Sequence, residues 1–206
     1  MAGTEKIFGS TKKQKKVKTA HMKTKQVAME DINPHFLFNA LNSIKSEIYL
    51  KEENAYEHID NIALYLRYVF SHSGEREVEG AEEVLFLENY MKLEQLRFEK
   101  IHFTKKVETT AFCIQPFLLV QLASFMLHES MLEKQGESTL HLLIKEEAGK
   151  TKIVLADNGN GCNAEKWIEA ESKSGILGGN DRRKNGISVQ GSNNTGGGTT
   201  FVIVIP

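Results

Sequence analysis

Cysteine is scarce in this 206-residue chain: only Cys113 and Cys162 occur, each isolated and without a partner at ligand spacing. That excludes a disulfide scaffold and a cysteine-ligated zinc site, and it points to a reducing compartment. Long apolar runs are missing too. The longest, Phe117 to Leu127, spans eleven residues and is broken by Gln121 and Ser124, against about 20 needed to cross a bilayer. The N-terminus has no apolar segment of the kind that marks a secretion signal. An excess of one charge is also absent, the formal net being −1, but this near balance hides a split. Residues 1–26 hold eight lysines (Lys6, Lys12, Lys13, Lys15, Lys16, Lys18, Lys23 and Lys25) against Glu5 alone. Of the 26 basic and 27 acidic residues in total, 18 and 26 therefore follow residue 26, a net of −8. A lysine run without interleaved aromatics reads as a solvated tail, and the acidic body argues against DNA or RNA as a partner.

What the chain does have is a histidine placed directly after a proline in an amphipathic stretch. Leu37, Leu41, Ile44 and Ile48 recur at intervals of four, three and four, which defines one helical stripe. At about 100° per residue, His35 falls on the opposite side, with Asp31, Asn39, Asn42 and Ser46 beside it. Pro34 removes a backbone donor and is expected to kink the helix there. Taken alone, this is either an ordinary surface histidine or one held clear of the core and free to react.

The periodicity predicts a first helix from about residue 25 to 50 and a second, capped by Asn54, to about Phe70. In the second, Ile59, Ile62, Leu66 and Val69 repeat at three, four and three. Two such narrow stripes make an antiparallel hairpin with one apolar seam. Pairing two hairpins into a four-helix bundle would cover it, so a homodimer is expected. A polar loop over Ser71–Gly80 leads to a third helix at about 82–99. From residue 101 the period changes. Ile101–Val107, Thr139–Lys145, Lys152–Ala156 and Thr199–Ile205 read as strands, Gln115–Lys134 reads as a helix with Phe117, Leu118, Leu122, Phe125 and Met126 buried, and Gly191–Gly198 reads as a flexible loop. The fold class is α+β, with helices against one face of a sheet. Three segments follow: a lysine-rich tail (1–26), a helical region (27–80), and a connecting helix with an α/β domain (81–206).

Asp157-Asn158-Gly159-Asn160-Gly161 closes one of the expected strands. A carboxylate there can accept a hydrogen bond from an adenine amino group, and the glycines let backbone approach a nucleotide closely. The same residues also suit a plain turn or a calcium-type loop.

Asp31 to Ile44 resembles the phospho-acceptor box of the LytS-type sensor histidine kinases, Q-I-N-P-H-F-L-F-N-A-L-N-S-I, with Asp31 in place of the glutamine. Leu66-Arg67-Tyr68 resembles the family's L-R-Y element, and Tyr90 to Phe98 its Y-L-x-L-E-Q-x-R-F element. Asp157 to Gly161 is similar to the D-x-G-x-G box of the GHKL (Bergerat-type) ATPase fold. Gly175 to Arg182 resembles the lid motif G-I-G-L-x-N-x-R, and Gly198-Thr199-Thr200 resembles the closing G-T-T. The resemblance implies a dimerising hairpin followed by a GHKL α/β sandwich, with ATP and Mg2+ as cofactors. It implies autophosphorylation of His35, with Asp31 and Asn39 beside it, and phosphotransfer to a response regulator. Asp157, Gly159, Gly161, Gly175, Asn180, Arg182 and Thr199 would hold the nucleotide. It also implies a cytoplasmic location, on its own or as the cytoplasmic part of a receptor whose membrane sensor lies upstream.

One departure bears on activity. The family's N-box, L-Q-P-L-V-E-N-A, supplies an asparagine to magnesium. Counting from Pro116 without gaps puts its glutamate and asparagine on Ser124 and Phe125, while a slide of five residues puts them on Glu129 and Ser130. The ungapped register is the better one, because it also aligns the strand at Thr139, and either leaves magnesium without the asparagine. No metal ligand is assigned, and a catalytically impaired kinase acting as a dimeric docking module is the alternative to an active one.

Overall fold

The computed structural model describes residues 34–174 and 186–206. The hairpin is formed by α1 (Pro34–Leu50) and α2 (Ala55–His72). Pro34 is the first described residue of α1. The kink expected there involves residues before it, which lie outside the described residues. Asn54 was expected to cap α2 through its side chain. It does not: its backbone is already helical and only its carbonyl takes part, accepting from the His58 N–H at 3.1 Å.

The buried side of α1 is Phe36, Ala40 and Ile44, a stripe rotated from the expected one. Leu41 and Ile48, expected inside, are 50% and 53% exposed. Phe36 sets the phase, because its ring sits 5.1 Å from both Tyr65 of α2 and Tyr90. A large ring between two others outweighs an aliphatic stripe in buried area and in ring–ring contact. On α2, Ile62 and Val69 are inside as expected, joined by Tyr65 and Tyr68, while Ile59 is exposed.

After β1 (Val78–Glu79), α3 (Gly80–Gln95) ends four residues before its expected end. It carries two buried acids, Glu83 and Glu94. Glu94 accepts from the Tyr90 hydroxyl at 2.7 Å and from the Arg97 guanidinium at 2.7 Å, and that guanidinium lies 4.7 Å from the centre of the Phe98 ring. The Tyr90–Phe98 motif is thus a polar network sealed under aromatic carbon. Next come β2 (Ile101–Val107), β3 (Cys113–Ile114) and α4 (Leu118–Met126), which passes into a π turn at Leu127–Met131. The long helix expected over 115–134 is therefore shorter at both ends. Phe117 takes a left-handed backbone (φ 70°) just before α4, and the Leu132 N–H reaches back five residues to the Leu127 carbonyl at 3.0 Å.

The remaining elements are β4 (Ser138–Glu147), β5 (Lys150–Asp157), α5 (Ala164–Ser174), β6 (Ser188–Asn193) and β7 (Thr199–Ile205). The main sheet runs β2-β4-β5-β7-β6, with β2 and β4 parallel and the other pairs antiparallel, while β1 and β3 form a separate pair. The expectation of an α+β fold holds. Gly191 to Asn193, expected in a loop, belong to β6. Every second residue faces the core, as Leu140, Leu142, Ile144, Ile153, Leu155, Phe201 and Ile203 do, each burial being worth about 1.5–3 kcal/mol. Among the described residues no helix is long and apolar enough to cross a membrane.

Candidate functional site

Asp157 is the last residue of β5, and its carboxylate is held from three sides. The Ser130 hydroxyl donates to Oδ1 at 2.7 Å, the Gly159 N–H donates to the same oxygen at 2.6 Å, and the Thr199 N–H donates to Oδ2 at 3.0 Å. These donors come from the π turn, the loop after β5 and the first residue of β7, so the site exists only where those elements meet. Ser130 is shared further: its hydroxyl accepts from the Gly161 N–H at 2.9 Å and its carbonyl from the Asn160 N–H at 2.8 Å. Burial pushes the Asp157 carboxyl above the usual carboxylate range, while the bonds from Ser130, Gly159 and Thr199 and the charge of Lys134 pull it down.

The glycines are required by space. A Cβ on Gly159 would stand 2.4 Å from the Ser130 carbonyl oxygen, and one on Gly198 would stand 2.0 Å from the Asp157 carbonyl oxygen. Gly198 and Gly161 also have φ of +87° and +89°, which side chains disfavour. The Asn194 amide donates to the Asp157 carbonyl at 3.2 Å, and the Asn193 side-chain oxygen accepts from the Cys162 N–H at 3.3 Å. Sequence reasoning assigned neither asparagine, since their partners lie more than thirty residues away.

Two cavities open beside this cage. One, about 570 Å³, is lined by Asn160, Gly161, Cys162, Glu165 and Gly191 to Asn193 among others. Its size suits a drug-sized ligand or cofactor. The other, about 280 Å³, is lined by Gln121, Ser124, Phe125, His128, Glu129, Trp167 and Glu171. Of the two N-box registers, Ser130 of the slid one lies at Asp157. Phe125 of the ungapped one stacks on Trp167 at 5.3 Å and meets Phe201 edge-on at 6.1 Å. Glu129 adjoins Ser130 in sequence and is exposed. Among the described residues no cluster of three or more histidine, cysteine or acidic side chains is arranged for a metal.

His35 is exposed in the first turn of α1, and the Asn39 amide nitrogen lies 3.2 Å from each of its ring nitrogens. One amide group thus faces both ring nitrogens and orients the ring. The Ser43 hydroxyl donates to the Asn39 carbonyl at 3.2 Å. The structure thus brings Asn39 to His35, and it gathers Asp157, Gly159, Gly161 and Thr199 in a second, separate neighbourhood. Asp31, Gly175, Asn180 and Arg182 lie outside the described residues.

Residues 24–102 match the family model described as histidine kinase. The sensor histidine kinase YpdA of Escherichia coli K12 is 30% identical over 148 residues, which are 70% of this chain and 26% of that protein. The sensor histidine kinase/phosphatase LytS of Staphylococcus aureus is 26% identical over 208 residues, or 93% of this chain and 35% of LytS. The chain thus spans about a quarter to a third of the length of the curated relatives it matches. Among solved structures, a nucleotide-free catalytic domain of the histidine kinase ThkA overlaps with a TM-score of 0.48 at 14% identity, covering 63% of this chain and 93% of that one. With an acceptor-type box at His35 and two sensor kinases as homologues, the chain belongs to the histidine kinase family.

Proposed function

We propose that this chain is the kinase portion of a two-component sensor, taking the γ-phosphoryl group of ATP onto His35 and passing it to an aspartate of a response regulator. The observation that carries the reading is the cage around Asp157, a buried carboxylate amid glycines that leave no room for side chains. Such a carboxylate suits an exocyclic amine, and close backbone suits a nucleotide. Asp157, Gly159, Gly161 and Thr199 are read as nucleotide-binding, together with Gly175, Asn180 and Arg182 of the lid.

The chemistry follows from the groups present. An unprotonated ring nitrogen of His35 attacks the γ-phosphorus, the bond to the β–γ bridging oxygen breaks, and ADP leaves with that oxygen. The product is a phosphoramidate. Asn39 steers the ring, and Asp31 is read as the group that orients or deprotonates it. Positioning and charge neutralisation supply nearly all the rate of phosphoryl transfer. Magnesium ordinarily takes one or two carboxylates with the substrate's own phosphates. The donor set Gln121, Ser124 and Glu129 around the smaller cavity fits that need. In the slid register Glu129 keeps the family's glutamate while Ser130 stands at its asparagine, so it is the intact box at His35 that favours an active kinase over the docking-only alternative.

The segments are read as a tail (1–26), a dimerisation and phosphotransfer hairpin (27–80) and an ATP-binding domain with its connecting helix (81–206). A second copy is the proposed cover for the outward stripe of α1, where Phe38, 66% exposed, joins Leu41 and Ile48. A cytoplasmic position, with a sensor supplied upstream, is the placement proposed.

The test is incubation with γ-labelled ATP and magnesium beside a His35→Ala control. Acid-labile, alkali-stable label that disappears in the control is expected. An unlabelled protein that still binds ATP would return the docking module as the better reading.

A further inference from the structure

We propose that Glu83 is a positioning residue that ties the hairpin to the Asp157 cage, with Tyr68 as its contact on the hairpin side. Glu83 lies fully buried on α3, and three donors meet its carboxyl group. One is the Tyr68 hydroxyl from α2. The other two are backbone: the Phe117 N–H at 3.1 Å and the Leu119 N–H at 2.9 Å, both at the start of α4. A helix start carries unpaired N–H groups and a partial positive charge, so a carboxyl group from another element can seat it. Nothing on α4 itself does so, because Phe117 precedes it with a left-handed backbone and no side-chain cap.

The seat controls direction. From Leu118 the chain runs through α4 and the π turn to Ser130 and Met131, a rod of roughly 20 Å at the usual rise. Its far end delivers the Ser130 hydroxyl to Asp157 at 2.7 Å. Its near end is fixed to α2 through one hydroxyl. Ring contacts stiffen the same joint: Tyr68 stacks on Phe86 at 4.0 Å and meets Phe117 edge-on at 5.6 Å, and Phe36, the neighbour of His35, reaches Tyr90 of α3. A shift of the hairpin therefore moves the seat of α4, and a small tilt there is carried to Ser130. Tyr68 is the tyrosine of the Leu66-Arg67-Tyr68 element, a position to which the function proposed above assigns no role.

The inference rests on the kinase reading only for its effect on transfer. Its test is amide hydrogen exchange on the whole chain, resolved over 117–131, for the wild type and for Tyr68→Phe. That substitution keeps the ring contacts and removes only the hydroxyl. Exchange at Phe117 and Leu119 is expected to rise about tenfold, the size expected for one buried hydrogen bond, and to rise with it at 127–131. Glu83→Asp, too short to span both sides, should produce the same pattern, and the double variant should add little. Protection over 117–131 equal to the wild type in Tyr68→Phe overturns the proposal. So does a rise confined to the first turn of α4, which would leave Ser130 unconnected to the hairpin. If the wild type takes no label from ATP, the kinase reading fails while the exchange result still decides this one. If it does, Tyr68→Phe should slow labelling of His35 by about the same factor with ATP affinity within about twofold.

Discussion

At the scale of single residues, the cage around Asp157 depends on atoms that are missing. Replacing Gly198 by alanine would bring a Cβ to 2.0 Å from the Asp157 carbonyl oxygen, in a backbone conformation with φ of +87°. Gly198→Ala is therefore expected to cost about 1–3 kcal/mol and to weaken nucleotide binding, measurable by thermal melting and by titration with ATP. Glu83 makes a different prediction. Burial pushes its carboxyl up to about 7, against the downward pull of Tyr68, Leu119 and Phe117 and the charge of His72. The groups facing this joint are Tyr68, His72, Glu75 and Glu82. A carboxyl raised in the folded state contributes stability that is complete below its unfolded value, near 4.5, and is lost as pH rises through about 7. Glu83→Gln should accordingly gain stability relative to the wild type between pH 5 and about 8, read as the difference in melting temperature at each pH. A flat difference would show that the hydrogen bonds hold the carboxyl near its ordinary value. Asp157 and its glycines were legible because they lie within five residues of one another. Glu83 was not, since its donors stand 15, 34 and 36 positions away and the residue itself looks like any acid in a helix's first turn.

Among the elements, α4 and its π turn carry most of the consequence. In the ungapped register Phe125 stands where an asparagine is expected, so Phe125→Asn would restore a metal ligand. With the ring packed on Trp167 and Phe201, the outcome expected is the opposite: no gain in ATP turnover and a loss of about 2–4 kcal/mol. Trp167 is the chain's single tryptophan, so its fluorescence would report the loosened pack directly. The hairpin shows why periodicity found the elements but misjudged a face. Leu37, Leu41, Ile44 and Ile48 form a true stripe, yet the inward direction was decided by Phe36 finding a slot between Tyr65 and Tyr90, a contact that no window along the chain contains. The π turn was invisible for a similar reason. Its extra residue per turn follows from tertiary packing and from the bonds Ser130 makes with the glycine loop.

For the molecule as a whole, the outward stripe of the hairpin is the feature to test. Phe38, Leu41 and Ile48 on α1 and Ile59 on α2 are exposed together with tyrosines at 49 and 56. Light scattering on the full chain should report a dimer at micromolar concentration, and Leu41→Asp with Ile59→Asp should convert it to monomer without lowering ATP affinity. A wild type that stays monomeric at high micromolar concentration would remove the bundle. The α+β class and the two-part order were readable from the change of period at residue 101. The order of strands was not, because sequence proximity says nothing about which strand enters the middle of a sheet.

That strand order has a consequence for how the protein is made. β7, which supplies the Thr199 N–H to Asp157, is inserted between β5 and β6, although it follows both in the chain. During synthesis the hairpin therefore leaves the ribosome roughly ten seconds or more before the strand that completes the cage. In that interval the chain already displays His35 and the apolar stripe, but the cage around Asp157 is not yet closed. Two nascent copies on one message can meet through their hairpins first, so pairing of the proposed dimer would precede closure of the cage.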